Sequence, residues 1–254
     1  MRANINVKLP PRDGICYALK FPHQEFVILV WPYMQISNGS TTGVLLSGGL
    51  DSSILLASLL DDGQQVQPFY IRSRLVWESA ELQAANRFLK AVSCARLRGL
   101  VVLDLPLGDL YREHWSVTGV NAPDAATSNE AVFLPGRNAL LIVKAAIWCQ
   151  INEVKKLALA PLGSSPFADA SDGFFAAFQT ALNCGNGTSI KIIRPFDKMN
   201  KQQVMRLGRE CPLQLTFSCI SPTEQLHCGQ CNKCAERQAA FQAAGLYDPT
   251  EYSR

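Results

Sequence analysis

The chain has 254 residues, 48% of them hydrophobic and 18% charged, with 24 Lys and Arg against 21 Asp and Glu for a net charge of +3. Such a composition can bury a sizeable core, which excludes intrinsic disorder and collagen-like repeats, and so small a net charge disfavours a nucleic-acid binder driven by phosphate neutralisation. The nine cysteines stand out, being odd in number with four crowded between Cys219 and Cys234, a distribution that suits a metal knot in a reducing cytoplasm better than a secreted disulfide framework. The opening residues lack the apolar core of a signal peptide, and the apolar stretch at 26–34 is too short to span a membrane, so a cytoplasmic protein is expected.

Residues 1–42 read as an amino-terminal β extension, with short β-like runs at 5–9, 16–21 and 26–31 broken by Pro10-Pro11 and Asp13-Gly14. From residue 43 the pattern changes, and apolar strands at 44–46, 66–70, 100–105 and 157–160 alternate with helical stretches at 52–60, 77–92, 138–150 and 173–182. That alternation predicts an α/β fold over residues 43–199, a doubly wound parallel sheet whose ligands sit at the carboxyl ends of its strands. The connection at 106–133 is long for a compact domain and suits a lid or binding loop over a substrate. Residues 200–254 read as a helical metal-binding region: Asn200 with Gln203 three positions on is a capping signature, followed by the cysteine cluster and a last helix at 234–244.

The strongest catalytic signal is Leu46-Ser47-Gly48-Gly49-Leu50-Asp51-Ser52-Ser53, where a strand runs through a Gly-Gly pair directly into a helix. Backbone N–H groups freed there face an anion at the positive end of the helix dipole, and the serine hydroxyls add donors. Asp51 would be repelled by phosphate unless a cation such as Mg²⁺ lies between them, so an acid in this loop implies a metal–nucleotide complex. The loop lacks the spacing and the lysine of a Walker A motif. It resembles instead the loop of enzymes that split ATP between the α and β phosphates.

The second signal is Cys219 followed by Cys228-Gly229-Gln230-Cys231-Asn232-Lys233-Cys234. Four thiolates at these spacings can close a tetrahedron around Zn²⁺ with no open position, a structural rather than a catalytic arrangement. A ferredoxin-type run would continue with Cys-Pro, where this chain has Ala235-Glu236. Cys211 and His227 lie close in sequence but fall outside the ligand set. The single Cys16, Cys94, Cys149 and Cys184 are expected as small buried hydrophobes.

The Ser47 loop, the segment Phe133-Leu134-Pro135-Gly136-Arg137-Asn138 and the cysteine cluster follow one another in the order of one family. From about residue 43 to about residue 237 the chain resembles the 7-cyano-7-deazaguanine synthases of the queuosine pathway, as a divergent member. The resemblance implies an adenine nucleotide alpha hydrolase-like fold and an ATP-dependent ligase that forms AMP and pyrophosphate. It implies adenylation of the carboxylate of 7-carboxy-7-deazaguanine, displacement of AMP by ammonia to give the amide, and a second ATP to give the nitrile. It further implies that residues 46–53 hold ATP with Mg²⁺, that Asp51 and Arg137 serve the reaction, that Arg137 and Asn138 line the site, and that Cys219, Cys228, Cys231 and Cys234 hold Zn²⁺.

Departures fall on the substrate side. Where the family carries a Tyr-Gly-Gln-His-like sequence this chain has Tyr70-Ile71-Arg72-Ser73-Arg74, and its Tyr-Pro-Asp-Cys-Arg corresponds to Phe167-Ala168-Asp169-Ala170-Ser171. Asp169 suits either a purine-like N–H edge or a helix cap, Tyr70 either a stacking platform or the core, and Arg72 either an anion or solvent. Residues 1–42 have no counterpart, which leaves room for a protein partner or a homodimer contact there. Two other readings remain open: a relative that joins the activated deazaguanine to a protein or nucleic-acid amine, and a zinc-dependent nucleotide- or RNA-binding module, for which Lys233 and Arg237 near the cysteines are the available cations.

Overall fold

A computed structural model describes residues 41–187 and 189–253. The β-like runs expected at 5–9, 16–21 and 26–31 lie outside the described residues. Five strands form one sheet: β1 (Thr42–Leu45), β2 (Val66–Arg72), β3 (Val101–Asp104), β4 (Lys156–Ala158) and β5 (Lys191–Ile193). All neighbours are parallel and the order is β3-β2-β1-β4-β5. Four of these strands fall where alternation placed them. The fifth is a three-residue edge strand with no residue fully buried, too short for an apolar pattern to announce it.

The helices are α1 (Leu50–Asp61), α2 (Glu78–Ala91), α3 (Gly108–Tyr111), α4 (Trp115–Thr118), α5 (Arg137–Ile151), α6 (Asp172–Asn186), α7 (Lys201–Leu207) and α8 (Asn232–Ala244). Strand side chains alternate between the two faces, so each face needs its own cover. Val44, Leu46 and Ala158 pack with Ile54 and Leu55 of α1, Phe88 of α2 and Met205 of α7. Phe69, Ile71 and Leu157 pack on the opposite face with Ile142 and Ala146 of α5 and Phe175 of α6. This is the doubly wound arrangement that the strand and helix alternation predicts. Cys149 is fully buried in the second layer, and burial pushes its thiol up to about 12. Cys94 and Cys184 differ from expectation and are exposed, one in the loop after α2 and the other near the end of α6.

The segment at 106–133 folds back as α3, α4 and a 3-10 turn at Asn129–Val132. Its middle is fastened to the cysteine region: the Ala125 N–H donates to the Gln230 carbonyl at 2.9 Å and the Asn232 N–H to that of Pro123 at 2.9 Å. α7 opens with the expected capping box, in which Asn200 Oδ1 accepts from the Gln203 N–H and Gln203 Oε1 from the Asn200 N–H, each at 2.9 Å.

Close approach of α7 to α1 depends on Gly208, where an added Cβ would lie 2.3 Å from Cγ1 of Ile54. Ile54 is 1% exposed and has no room to yield. Gly208→Ala is therefore expected to cost about 1–3 kcal/mol of stability through overpacking, read as a lowered denaturant midpoint with unchanged slope.

Candidate active site

β1 lies between β2 and β4, and the connections from this central region leave toward opposite edges, which makes its carboxyl end the topological switch point of the sheet. Leu46 still pairs with β2, its N–H donating to the Phe69 carbonyl at 2.9 Å, and Ser47-Gly48-Gly49 then turns straight into α1. Gly49 is the N-cap and no side chain caps the helix. Gly48 has φ +76°, and a Cβ there would sit 2.8 Å from the Glu81 carbonyl oxygen, so the residue must lack a side chain on both counts. The Ser47 and Ser52 hydroxyls lie 3.0 Å apart, and Ser52 Oγ accepts from the Ser47 N–H at 3.2 Å, which pins the turn to the first turn of α1. Two polar atoms of this turn, Asp51 Oδ1 and Ser53 Oγ, are buried without a hydrogen-bond partner.

Above the loop opens a cavity of about 410 Å³ lined by Ser47, Gly49, Asp51 and Ser52 on one side. Lys201, at the start of α7, donates from Nζ to Asp51 Oδ2 at 2.6 Å and lies 3.4 Å from Glu236 Oε1. Lys233 Nζ meets Glu236 Oε2 at 2.6 Å. Burial works against the Lys201 charge, but Asp51 and Glu236 outweigh it and the net shift is upward. Burial would likewise raise Glu236, yet Lys233 and Lys201 hold it below the usual carboxylate range. Lys201 escaped the sequence reading because it stands 150 positions from Asp51; it brings to the loop the cation that a Walker A lysine would supply.

The far wall carries the residues expected on the acceptor side. Arg137 is the first residue of α5, and its Nε is buried without a hydrogen-bond partner. Asn138 donates from Nδ2 to the Asp169 carbonyl at 3.2 Å, while Asp169 Oδ1 is buried without a partner. Arg137, Asn138 and Asp169 all line the cavity, as do Phe133 and Phe167, whose rings stack with centroids 5.2 Å apart. Tyr70 also lines it but is 2% exposed, and its hydroxyl donates to Glu81 Oε2 at 2.7 Å. Arg72 lies outside the lining, where its Nε meets Asp104 Oδ1 at 2.9 Å across the β2–β3 edge. Trp115, from the long connection, closes one side of the cavity and stacks on Trp77 at 5.7 Å.

Glu81 was not foreseen. It is one of two acids on an amphipathic helix, and nothing in the local sequence separates it from Glu78. In the structure it lines the cavity, and burial pushes its carboxyl up to about 7 against the lowering influence of Arg137 and of the Tyr70 hydroxyl. Burial, followed by the charge of Glu81, pushes the Tyr70 phenol well above its ordinary value.

Cys219, Cys228, Cys231 and Cys234 form the second constellation, all buried, with every pair of sulfurs within 4.8 Å. Two of the separations, 3.8 Å for Cys219–Cys231 and 3.9 Å for Cys228–Cys234, match the roughly 3.8 Å edge of a tetrahedron with metal–sulfur bonds near 2.3 Å. The Ser221 and Cys228 N–H groups donate to Cys219 Sγ at 3.4 and 3.3 Å, and the Cys231 N–H to Cys228 Sγ at 3.3 Å, as thiolates holding a cation require. The donor set fits a metal ion such as zinc. His227 is turned elsewhere, its Nε2 accepting the Ser218 N–H at 3.1 Å. Of the cations near the cluster, Arg237 is 1% exposed with four hydrogen bonds to Thr250, Thr216, Ser218 and Leu213, and Lys233 is paired with Glu236. Neither offers a free basic surface to RNA.

A parallel sheet of this order, with an uncapped Ser-Gly-Gly-x-Asp-Ser turn at its switch point and a closed four-cysteine cluster beside it, defines an adenine nucleotide alpha hydrolase-like protein with a metal-binding knot. The chain belongs to the family described as Queuosine biosynthesis protein QueC, whose model matches residues 42–245. It is 29% identical over 222 residues to a 7-cyano-7-deazaguanine synthase of Stutzerimonas stutzeri, covering 82% of this chain and 96% of that one. A 7-cyano-7-deazaguanine synthase of Methylobacillus flagellatus is 31% identical over 227 residues, covering 83% and 95%. Among solved structures, a 4-thiouridine synthetase–RNA complex with bound ATP aligns at TM-score 0.47 and 14% identity, over 81% of this chain and 50% of that one.

Proposed function

We propose that the protein is an ATP-dependent carbon–nitrogen ligase and nitrile synthase that converts 7-carboxy-7-deazaguanine and ammonia, through the amide, to 7-cyano-7-deazaguanine, releasing AMP and pyrophosphate. The observation that carries this reading is one continuous cavity with the Asp51–Lys201 phosphate turn on one wall and Arg137, Asn138 and Asp169 on the other. Family membership and the name of the relatives, 7-cyano-7-deazaguanine synthase, support the product, and the carboxylate is the substrate that adenylation would require.

A carboxylate becomes electrophilic only when one of its oxygens joins a good leaving group, and adenylation achieves this without a protein nucleophile. The turn and the first turn of α1 hold the phosphates, and Lys201 balances their charge from the opposite side. Mg²⁺ fits at Asp51, whose buried Oδ1 lacks a partner, and when bound it neutralises charge on the departing pyrophosphate. Arg137 holds the substrate carboxylate beside the α-phosphate, its unpartnered Nε being one of the donors available for a two-point grip. The unpartnered Asp169 Oδ1 accepts from the N–H edge of the deazapurine. Cys219, Cys228, Cys231 and Cys234 would hold Zn²⁺, which would fasten the loop ahead of α8 to the helix itself and take no part in bond making.

Purified protein given Mg·ATP, ammonium and 7-carboxy-7-deazaguanine is expected to yield AMP, pyrophosphate, amide and then nitrile by mass spectrometry. Nitrile-free and amide-free reactions under zinc-replete conditions would sink the assignment. A conjugate formed only when a protein or nucleic-acid amine replaces ammonia would favour the amine-joining relative instead.

A further inference from the structure

Turning an acyl adenylate into an amide leaves one proton to be removed. Ammonia adds its nitrogen to the carbonyl carbon, the carbon–oxygen bond to AMP breaks with its electron pair leaving on the phosphate, and the nitrogen then carries one N–H proton too many for a neutral amide. A group at the cavity wall must take it, and among the described residues no histidine lines the cavity. His114 is engaged with Ser116 Oγ at 2.9 Å, and His227 with the Ser218 N–H. Asp51 and Glu236 are bound up with Lys201 and Lys233. Asp169 sits on the substrate wall beside Asn138. Glu81 is the remaining acid of the lining, and its carboxylate accepts from the neutral hydroxyl of Tyr70 at 2.7 Å.

We infer that Glu81 accepts the proton released as ammonia becomes the amide nitrogen, and that Tyr70 is the positioning residue that aims it; the inference rests on the function proposed above. The backbone of Glu81 packs against Gly48 of the phosphate turn, so its carboxylate is carried at a fixed offset from the place where the adenylate forms. The groups facing it are Tyr70 from β2, Glu78 from its own helix and Arg137 from α5. With its acidity near neutral, the carboxylate can take a proton and return it to solvent within one turnover.

The test separates the two half-reactions. Carboxylate-dependent exchange of labelled pyrophosphate into ATP reports adenylation, and single-turnover amide formation at fixed free ammonia reports the proton step. Glu81→Gln is expected to slow amide formation by about 10²-fold or more, with exchange changed by less than about threefold. The wild-type rate of amide formation should rise with pH through a limb near 7, which Glu81→Gln abolishes and Tyr70→Phe moves to higher pH, because the lost hydroxyl had favoured the carboxylate. Asp169→Asn should weaken substrate binding and leave the limb in place.

Stability provides a second readout. A carboxyl raised from 4.5 to about 7 in the folded state carries no folding penalty below 4.5, and a full one above 7. Glu81→Gln should therefore melt higher than wild type at pH 8 and not at pH 4.5. Equal loss of exchange and amide formation in Glu81→Gln, or a limb that survives it, would overturn the inference. A wild-type protein with no carboxylate-dependent exchange would instead overturn the proposed function, and this inference with it.

Discussion

Replacing Asp51 by Asn is expected to reduce AMP and pyrophosphate release by roughly 10²–10³-fold, the scale set by loss of one charge-stabilising group in a preorganised site. Asn keeps the size of the side chain and still accepts from Lys201, so the melt should shift by only a few degrees. What it loses is the negative charge that, on the proposed function, would hold a cation against the phosphates. One carboxylate oxygen is taken by Lys201 at 2.6 Å and the other is buried without a partner, so the site is half-satisfied and open to a divalent ion. The Mg²⁺ concentration needed for half-maximal rate should rise in the variant along with the loss in turnover. Lys201→Met is expected to act differently: it removes a phosphate contact and leaves Asp51 facing Glu236 without an intervening cation, so KM for ATP should rise more than kcat falls. Turnover of Asp51→Asn within about tenfold of wild type would mean that the turn does not hold a metal–nucleotide complex, and ATP binding without any turnover in the wild type would leave only the binding-module reading.

The parts of this site that are contiguous in the chain were legible from the sequence. A strand, two glycines, an acid and two serines leading into a helix are a local event, and so is the Asn200 box, because both depend on backbone groups within a few positions. The cysteine cluster is equally local, with three of its ligands within seven residues. Lys201 and Glu81 were not legible: the partner of Lys201 lies 150 positions away, and only the packing of α2 against β2 decides that the carboxylate of Glu81 rather than that of Glu78 meets the Tyr70 hydroxyl inside the cavity. Burial decides the rest. Arg237 reads as a surface cation beside a metal knot, yet α8 turns it inward, where four hydrogen bonds replace water. Arg72, read as a possible anion ligand, instead clamps Asp104 across the β2–β3 edge.

Loss of one cysteine ligand should reach the nucleotide site as well as the metal. Wild-type protein is expected to carry one zinc per chain by elemental analysis, and Cys231→Ser to lose it. The binding free energy of a structural zinc is about 10–16 kcal/mol in small folded units, comparable with the roughly 5–15 kcal/mol that holds a whole domain together. The metal-free variant therefore should not keep residues 219–234 folded. Cys231 is the N-cap of α8, and that helix carries Glu236, which lies 3.4 Å from Lys201, itself the partner of Asp51. Just ahead of Cys219, the Phe217 N–H donates to the Gly48 carbonyl at 2.7 Å, a direct tie between the cysteine region and the phosphate turn. Both ties slacken together when the cluster opens, so ATP affinity should fall at least tenfold, about 1.4 kcal/mol, in the same samples that lose zinc. The control is Cys94→Ser, an exposed cysteine remote from the cluster in sequence, which should retain zinc and ATP affinity. If Cys231→Ser lost its zinc yet bound ATP like the wild type, α8 would be held by its packing against α7 and the core alone, and the metal would be dispensable to the active site.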